Sequence, residues 1–573
     1  MRFIAEGKVQ RVSTVLANAF KRGYGLVGVM DLLSKAADGV YKAKSYAESE
    51  FQKAFVLLKY GGGRTADFAS RAFGLPSPRT IRRHMPAAVL QASPGMPSVS
   101  ELSHNLSTAL EACSEPFATA THGYVLMLDE IAIEKRLRWD PATNMILGAC
   151  REHGSACELE FCSGDEATAL FRAIEGKRVH LASEATVMAV GAFAAEPRLY
   201  EARPFGLSGT CKRETATAQE ILIRNALAAC NAQRETLGRC YCIASDGDAH
   251  RRLAMAAITL HSELSESSPI HRLLSPLPLM NLRCGKDDLT CDIDMKHIAK
   301  RMRNTLLRTI GTTIGGVVIT RSVLRAHLCD AGMSGATADA LLDPEDHQDV
   351  VLMYRLLGAV VHLPQTPTVA DPFSAVVRRV LWLIGRAYYY VLSAYTNTAL
   401  SLRQQLEYLS AASHLFLQLY RLDQQRFIPS QLYIDIQIMI KNVYFCVAKT
   451  KKDNPTGRFW LLLLGTDRLE KDFGITRTIV GNDSNADLYQ LSTRLLSIVL
   501  LALILSEHPE WDRGPRRLRL PANVLSDPSA ELDKRVDHIN PASWTGDLHV
   551  ADVVLRTCWN RGRELAEAAL AEA

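Results

Sequence analysis

Residues 126–131, Leu-Met-Leu-Asp-Glu-Ile, constrain the fold more than any other stretch. Leu126, Met127 and Leu128 form a short apolar run, and neighbouring residues on a strand face opposite ways. Both faces of such a strand must be covered, as in a layered α/β sheet. The run stops at two carboxylates, Asp129 and Glu130. A buried strand with an acid at its end delivers that acid to the rim of the sheet, where it can meet a metal ion. Two later stretches repeat the pattern. Cys-Tyr-Cys-Ile-Ala-Ser leads to Asp246, and the leucines 461–464 lead to a segment containing Glu470. Asp129, Asp246 and Glu470 are the candidate catalytic and metal-binding residues.

Phosphodiester hydrolysis or transfer needs an attacking and a leaving oxygen stabilised together, and two metal ions do both. Mg²⁺ or Mn²⁺ binds oxygen and uses few protein carboxylates, so two strand-end aspartates and one helix glutamate suit it. The blander alternative is that each acid caps a helix or closes a turn. The chain has 61 acidic residues and so offers many such triplets. Glu130, Asp248 and Asp467 lie close enough in sequence to take any of the three roles.

At 573 residues, with 47% hydrophobic and 22% charged side chains, the chain is a globular protein of two to four domains. The formal charge of +5 is small, so a basic surface for nucleic acid must be local. The 13 cysteines are scattered, none precedes Cys113, and no C-x-x-C pair occurs. That excludes a disulfide framework and an N-terminal zinc finger, and fits a reducing compartment. No secretory signal is visible. The longest apolar run, 495–505, is too short to span a bilayer and predicts a buried helix, so no membrane partner is expected.

In chain order, residues 1–60 predict helices, and Gly61, Gly62 and Gly63 break the pattern. Residues 64–85 predict two short helices around a turn, the first stopping at Gly74, the second capped by Ser77 with Pro78 in its first turn. The second carries Arg79, Arg82, Arg83 and His84, which suits a helix-turn-helix with a basic recognition helix. A helical hairpin with a solvated basic face is the alternative. Residues 86–100 are a linker rich in Pro, Ser and Ala. Strands follow: Tyr-Val-Leu-Met-Leu-Asp, a hairpin around Pro-Ala-Thr-Asn (141–144), a buried strand over 185–194, a helix over 214–233, and the strand ending at Asp246. After Asp246 the pattern is helical for about two hundred residues.

These blocks, in this order, resemble P-element-type DNA transposases and the related THAP-domain type, including fungal transposase-like proteins. Tyr-Val-Leu-Met-Leu-Asp is similar to the family's first catalytic strand. The spacing Lys135, Leu137, Asp140, Gly148 is similar to the hairpin that follows it. Ile-Ala-Ser-Asp-Gly-Asp resembles the strand with the second aspartate, and 291–306 the D-x-x-H-x-x-K-x-x-R-N segment that opens a helical insertion. Residues 464–483 resemble the segment with the final glutamate. The resemblance implies an α/β fold, a ribonuclease-H-like mixed-sheet core split by a large all-α insertion. The implied plan is a helical region at 1–95 with the helix-turn-helix at 64–85, the core at 96–290 and 456–506, the insertion at 291–455, and a helical tail at 507–573. It also implies Asp129, Asp246 and Glu470 as the metal-binding triad, Mg²⁺ or Mn²⁺ as cofactor, transposon-end and target DNA as partner, a homo-oligomer, and the nucleus as location. A domesticated, inactive DNA-binding derivative is the alternative. The family's insertion binds GTP, but no G-x-x-x-x-G-K-[ST] motif is present and Ile-Gly-Thr-Thr-Ile-Gly-Gly (310–316) is a weak substitute, so GTP is not expected.

Lys296, Lys300, Arg301 and Arg303 are candidate contacts to the DNA backbone, the alternative being a solvated helix face. Residues 513–520 and 447–455 are basic stretches of the same kind. Cys240 and Cys242 share one face of a strand and predict packing. His153 and His250 lie near the acids in sequence, and neither is assigned a catalytic role.

Overall fold

The computed structural model describes residues 11–41, 46–86, 88–111, 122–343, 350–368, 371–479, 486–511 and 540–573. The basic stretch 513–520 and residues 480–485 lie outside them.

Five strands form the central sheet: β1 (Tyr124–Ala132), β2 (Glu184–Ala192), β3 (Arg203–Thr210), β4 (Cys240–Ser245) and β5 (Thr290–Ile293). Their order is β3-β2-β1-β4-β5. β1, β2 and β3 run antiparallel in sequence, whereas β4 and β5 lie parallel to β1. Leu126, Met127 and Leu128 are fully buried, which is why this strand must sit mid-sheet with layers on both faces. Between β1 and β2 the predicted hairpin forms, with Arg138–Asp140 paired to Met145–Leu147 across 141–144.

β3 and β5 were not predicted. β3 reads Arg-Pro-Phe-Gly-Leu-Ser-Gly-Thr, and its glycines and proline weaken the strand signal. The packing explains those glycines. A Cβ on Gly206 would meet Met188 Cε at 2.3 Å, and one on Gly209 would meet Ala182 Cβ at 2.6 Å. β5 has only four residues and includes the buried Asp292.

Helices Val99–Glu111 and Ala216–Ala232 cover part of the sheet. Long helices Pro372–Thr396, Leu402–Asp423 and Ser430–Asp453 form a block beyond β5. The last of these is sewn to the sheet by polar contacts. Asn442 Nδ2 donates to Asp292 Oδ1 at 3.1 Å, and Lys449 Nζ donates to the Tyr241 carbonyl at 2.6 Å. In the basic stretch 447–455, offered by the sequence as a phosphate contact, Lys449 is instead buried near the end of a helix. The terminal helix Leu555–Glu572 docks on Leu402–Asp423, where Gly562 lies so close to Ser410 that a Cβ would meet its Cβ at 2.4 Å. The glycines near 310 form a tight hairpin turn between Thr312–Ile314 and Val317–Ile319, with Gly315 and Gly316 at φ of 57° and 81°.

Helices Asp467–Thr478 and Leu488–Glu507 close the other side of the structure. Leu488–Glu507 is the one helix, among the described residues, long and apolar enough to cross a membrane, and it is mostly buried. Its Ile498, Leu501 and Leu505 share a core with Phe55, Ile81 and Ile475. The N-terminal helices are thus anchored to it. The glycine break is a kink inside Glu48–Phe73, at Gly62 (φ 73°), and the chain then turns at Gly74 into Pro78–His84. Ser77 Oγ caps that helix by accepting from Thr80 N at 3.3 Å.

Candidate active site

Parallel strands place their C-terminal ends side by side, and loops leaving those ends build a crevice. Leu128 pairs with Ser245, so Asp129 and Asp246 each follow a matched position on adjacent strands. Carboxylate oxygens of Asp129, Glu130 and Asp246 come within 4.8 Å of one another. Glu470, on the first turn of helix Asp467–Thr478, is close enough to act on Asp129 by charge. Burial first, then the charges of Glu470, Glu130 and Asp246, push the Asp129 carboxyl well above its usual range. Two segments more than a hundred residues apart in sequence thus bring Asp129, Glu130 and Asp246 together, and a third places Glu470 near enough for its charge to act on Asp129.

Glu130 differs from Asp129 in having its own counter-charge. Its carboxylate accepts from Thr186 Oγ1 at 2.9 Å and from Arg251 Nη1 at 3.0 Å, with Arg251 Nη2 closer still. Arg251, 1% exposed, also donates to Gln219 Oε1 at 3.2 Å. Gln219 in turn donates to Glu214 at 2.8 Å, and Glu214 is paired with Arg151 at 2.6 Å. Burial would raise Glu130, yet the Arg251 charge holds its carboxyl below the usual range. Among the described residues, no Lys or Arg pairs with Asp129 or Asp246. Asp129 and Asp246 thus lack the cationic partner that Glu130 has in Arg251.

Asp246 Oδ1 accepts from Asp248 N at 3.1 Å, and Asp248 caps helix Ala249–Thr259 through His250 N and Arg251 N at 3.0 and 3.2 Å. The sharp turn between the two acids passes through Gly247 at φ 87°. Asp248 is thereby the cap that aims Arg251 inward. A cleft of about 190 Å³ opens here, lined by Glu130, Asp246, Asp248, His250 and His297 among others.

A second polar cluster positions Glu470. Asp294, directly after β5, caps helix Met295–Leu306 and accepts from Thr466 N at 3.2 Å. Gly465 (φ 76°) makes this approach possible, since a Cβ there would meet Asp294 Oδ2 at 2.7 Å. Lys296 Nζ lies 2.5 Å from Asp467 and 3.9 Å from Glu470. Burial works against its charge, but Asp467, Glu470 and Asp294 hold Lys296 protonated, above its ordinary value. His297 Nδ1 lies 3.2 Å from Asp294 Oδ1. Burial lowers its affinity for a proton, but the Asp294 hydrogen bond and charge, then Glu470, raise it to about 9. Asp467 is thus occupied by Lys296 rather than standing in for Glu470. The residue after Asp467, Arg468, clamps the segment to the end of β2 by donating to the Ala192 carbonyl at 3.3 Å, and to the nearby Tyr200 carbonyl at 2.6 Å.

The basic residues predicted to touch DNA fall in two groups. Arg79, Arg82 and Arg83 are exposed on helix Pro78–His84. On helix Met295–Leu306, Lys296 and Arg303 are only 2% and 1% exposed, and that burial corrects the expectation that they contact a phosphate backbone. Arg301 is paired with Asp435, and Lys300 is half-exposed. Sequence reasoning missed Arg251, Asp294 and the structural use of Lys296. Asp-Ala-His-Arg-Arg after Asp246 carries a capping signal that could have placed Arg251 on a helix facing back to the acids.

No known protein-family profile matches the chain, and no curated protein matches it in sequence. Its structure is similar to a solved one, described as a Drosophila P element transposase strand transfer complex, with a TM-score of 0.51 and 12% identity. The match covers 86% of this chain and 100% of the other. With its mixed α/β sheet and many packed helices, the chain has a transposase-like fold.

Proposed function

We propose that this protein is a DNA transposase-like nuclease and strand transferase whose ribonuclease-H-like core uses Asp129, Asp246 and Glu470 to hold Mg²⁺ or Mn²⁺. The observation that carries this reading is the meeting of Asp129 and Asp246 at the C-terminal ends of β1 and β4, with Glu470 near enough to act on Asp129 by charge. There burial, then the charges of Glu470, Glu130 and Asp246, destabilise Asp129 as an anion. The donor set fits a hard divalent ion: oxygen ligands, half-buried, with no Lys or Arg among the described residues paired to either aspartate. The strand order and the transposase-like fold favour the same reading.

A bound metal pair would offset the carboxylate charges and stabilise the attacking and leaving oxygens of an in-line displacement. The protein's own residues do the rest. Arg251 neutralises Glu130 and keeps it out of the ligand set. Asp248 fixes the turn that aims Asp246. Lys296 and Asp294 hold the helix that delivers Glu470, and Arg468 ties that helix to β2. Arg79, Arg82 and Arg83 would contact DNA phosphates from their exposed helix. In this reading, residues 96–290 and 456–506 are the two parts of the core and 291–455 the insertion. The nucleus is the implied place of action.

The test is cleavage of DNA carrying the gene's own flanking ends, with Mg²⁺ or Mn²⁺, by wild type and Asp129→Asn in parallel. Metal-dependent cutting by the wild type alone is the expected result. If both folded proteins bind the DNA and neither cuts it, the chain is a transposase-derived DNA-binding protein and the nuclease assignment fails.

A further inference from the structure

A second group of metal-type donors lies on the far side of the sheet's antiparallel half. Cys150, His153, His180 and Cys211 bring one sulfur or nitrogen each into a cluster whose atoms all lie within 4.8 Å of one another. The measured edges are 3.2 Å from Cys150 Sγ to His153 Nδ1, 3.8 Å from Cys211 Sγ to His153 Nδ1, and 3.5 Å from Cys211 Sγ to His180 Nδ1. A tetrahedral zinc with Zn–S near 2.3 Å and Zn–N near 2.0–2.1 Å requires ligand–ligand edges of roughly 3.3–3.8 Å. Both histidines present the same ring nitrogen to the cluster, and their rings lie 4.3 Å apart at 59°. A chance pair of thiol–imidazole contacts has no reason to close into a four-cornered set with these edges.

We propose that Cys150, His153, His180 and Cys211 form a structural Cys₂His₂ zinc site. Its four protein ligands fill a tetrahedral shell, so no position remains for substrate and the role is architectural. Three separate segments supply the ligands. Cys150 and His153 come from the turn after the Arg138–Leu147 hairpin, His180 from the approach to β2, and Cys211 from the end of β3. Backbone bonds already align the first two segments, with Cys150 N donating to the His180 carbonyl at 2.9 Å. Zinc would lock that register. Arg151 sits between two ligands, and its guanidinium reaches Glu214, Thr186 and Ser208. The site therefore also fixes the residue that leads, through Glu214, Gln219 and Arg251, to Glu130.

The soft donors separate this site from the acids, and its test does not depend on DNA cleavage. Protein expressed with supplemented zinc and dialysed free of loose metal should contain about one zinc per chain, by elemental analysis. Cys150→Ser and Cys211→Ser should lose it, whereas Asp129→Asn should keep it. Wild type refilled with Co²⁺ should show tetrahedral ligand-field bands and a thiolate-to-cobalt charge-transfer band, so the assignment stands or falls even if the cysteine variants do not fold. Folded wild type without zinc, zinc retained by the Cys150→Ser/Cys211→Ser double variant, cobalt bands without sulfur character, or a Cys150–Cys211 disulfide in the intact protein would each overturn it.

Discussion

The sheet carries two clusters of potential metal donors, and they are built on opposite principles. At the C-terminal ends of β1 and β4 the donors are hard carboxylates that repel one another, with one flank open to a cleft. Beside β2 and β3 the donors are sulfur and nitrogen, drawn together by hydrogen bonds. The acid cluster, with Asp129 raised by burial and by its neighbours' charges, works against the fold around it, whereas the Cys/His cluster is held by mutual contacts. A site that must bind, release and act on substrate is expected to be held under tension, and one that only braces the chain is expected to be closed.

The largest effect should come from the acids. Asp129→Asn or Asp246→Asn should reduce cleavage on the order of a thousandfold, because the metal contributes several kcal/mol to the transition state. DNA binding by both variants should remain, measured by fluorescence anisotropy. Next is Arg251→Met, which leaves Glu130 buried without its partner and should cost about 3–5 kcal/mol of stability in denaturant titrations. A loss below about 1 kcal/mol would mean that Glu130 is not held as an anion.

The comparison of clusters is tested most directly by melting without Mg²⁺ or Mn²⁺. Asp129→Asn should raise the melting temperature of that protein, while Cys211→Ser, which removes a ligand of the proposed zinc, should lower it. The sign follows from linkage. Asp129 binds its proton more tightly folded than unfolded, so it favours folding at low pH, and this contribution is lost as pH rises through its raised folded-state pKa. The Asp129→Asn advantage should therefore grow from acid towards neutral pH, and saturating Mg²⁺ should shrink it by stabilising wild type alone. Equal shifts in both variants would dissolve the distinction. The smallest effects belong to Arg79, Arg82 and Arg83. Each Ala replacement should weaken DNA binding uniformly across sequences and lower the salt-dependence slope by about 1.

Asp129 and Asp246 were legible because an apolar run ending in an acid is a local pattern. Glu470 was picked out by the same pattern, the leucines 461–464 leading to an acid, and again by the family resemblance, but its support by Asp294, Gly465 and Lys296, which meet its segment across about 170 residues of sequence, was not legible. The mixed α/β layering was readable from β1, β2, β4 and the helix between them. β3 was hidden because Gly206 and Gly209 exist for close packing against Met188 and Ala182, a requirement set by neighbours. The Cys/His cluster escaped for a related reason. Its local signature is only Cys150-x-x-His153, and the other two ligands lie on different strands' ends. Lys296 and Arg303 misled because a basic helix reads the same whether its charges face solvent or a buried acid.

The bond from Thr466 N to Asp294 Oδ2 joins residues 172 positions apart. It has a consequence for synthesis. A chain emerging from the ribosome presents Asp129 and Asp246 early, but the helix with Glu470 arrives only after the whole helical block has been made. Domains fold in the order they are produced, so the sheet must wait, with two acids in place, for its third. Any nascent or prematurely terminated product ending before residue 470 lacks part of the acid set, and under the proposed function it should not cut DNA.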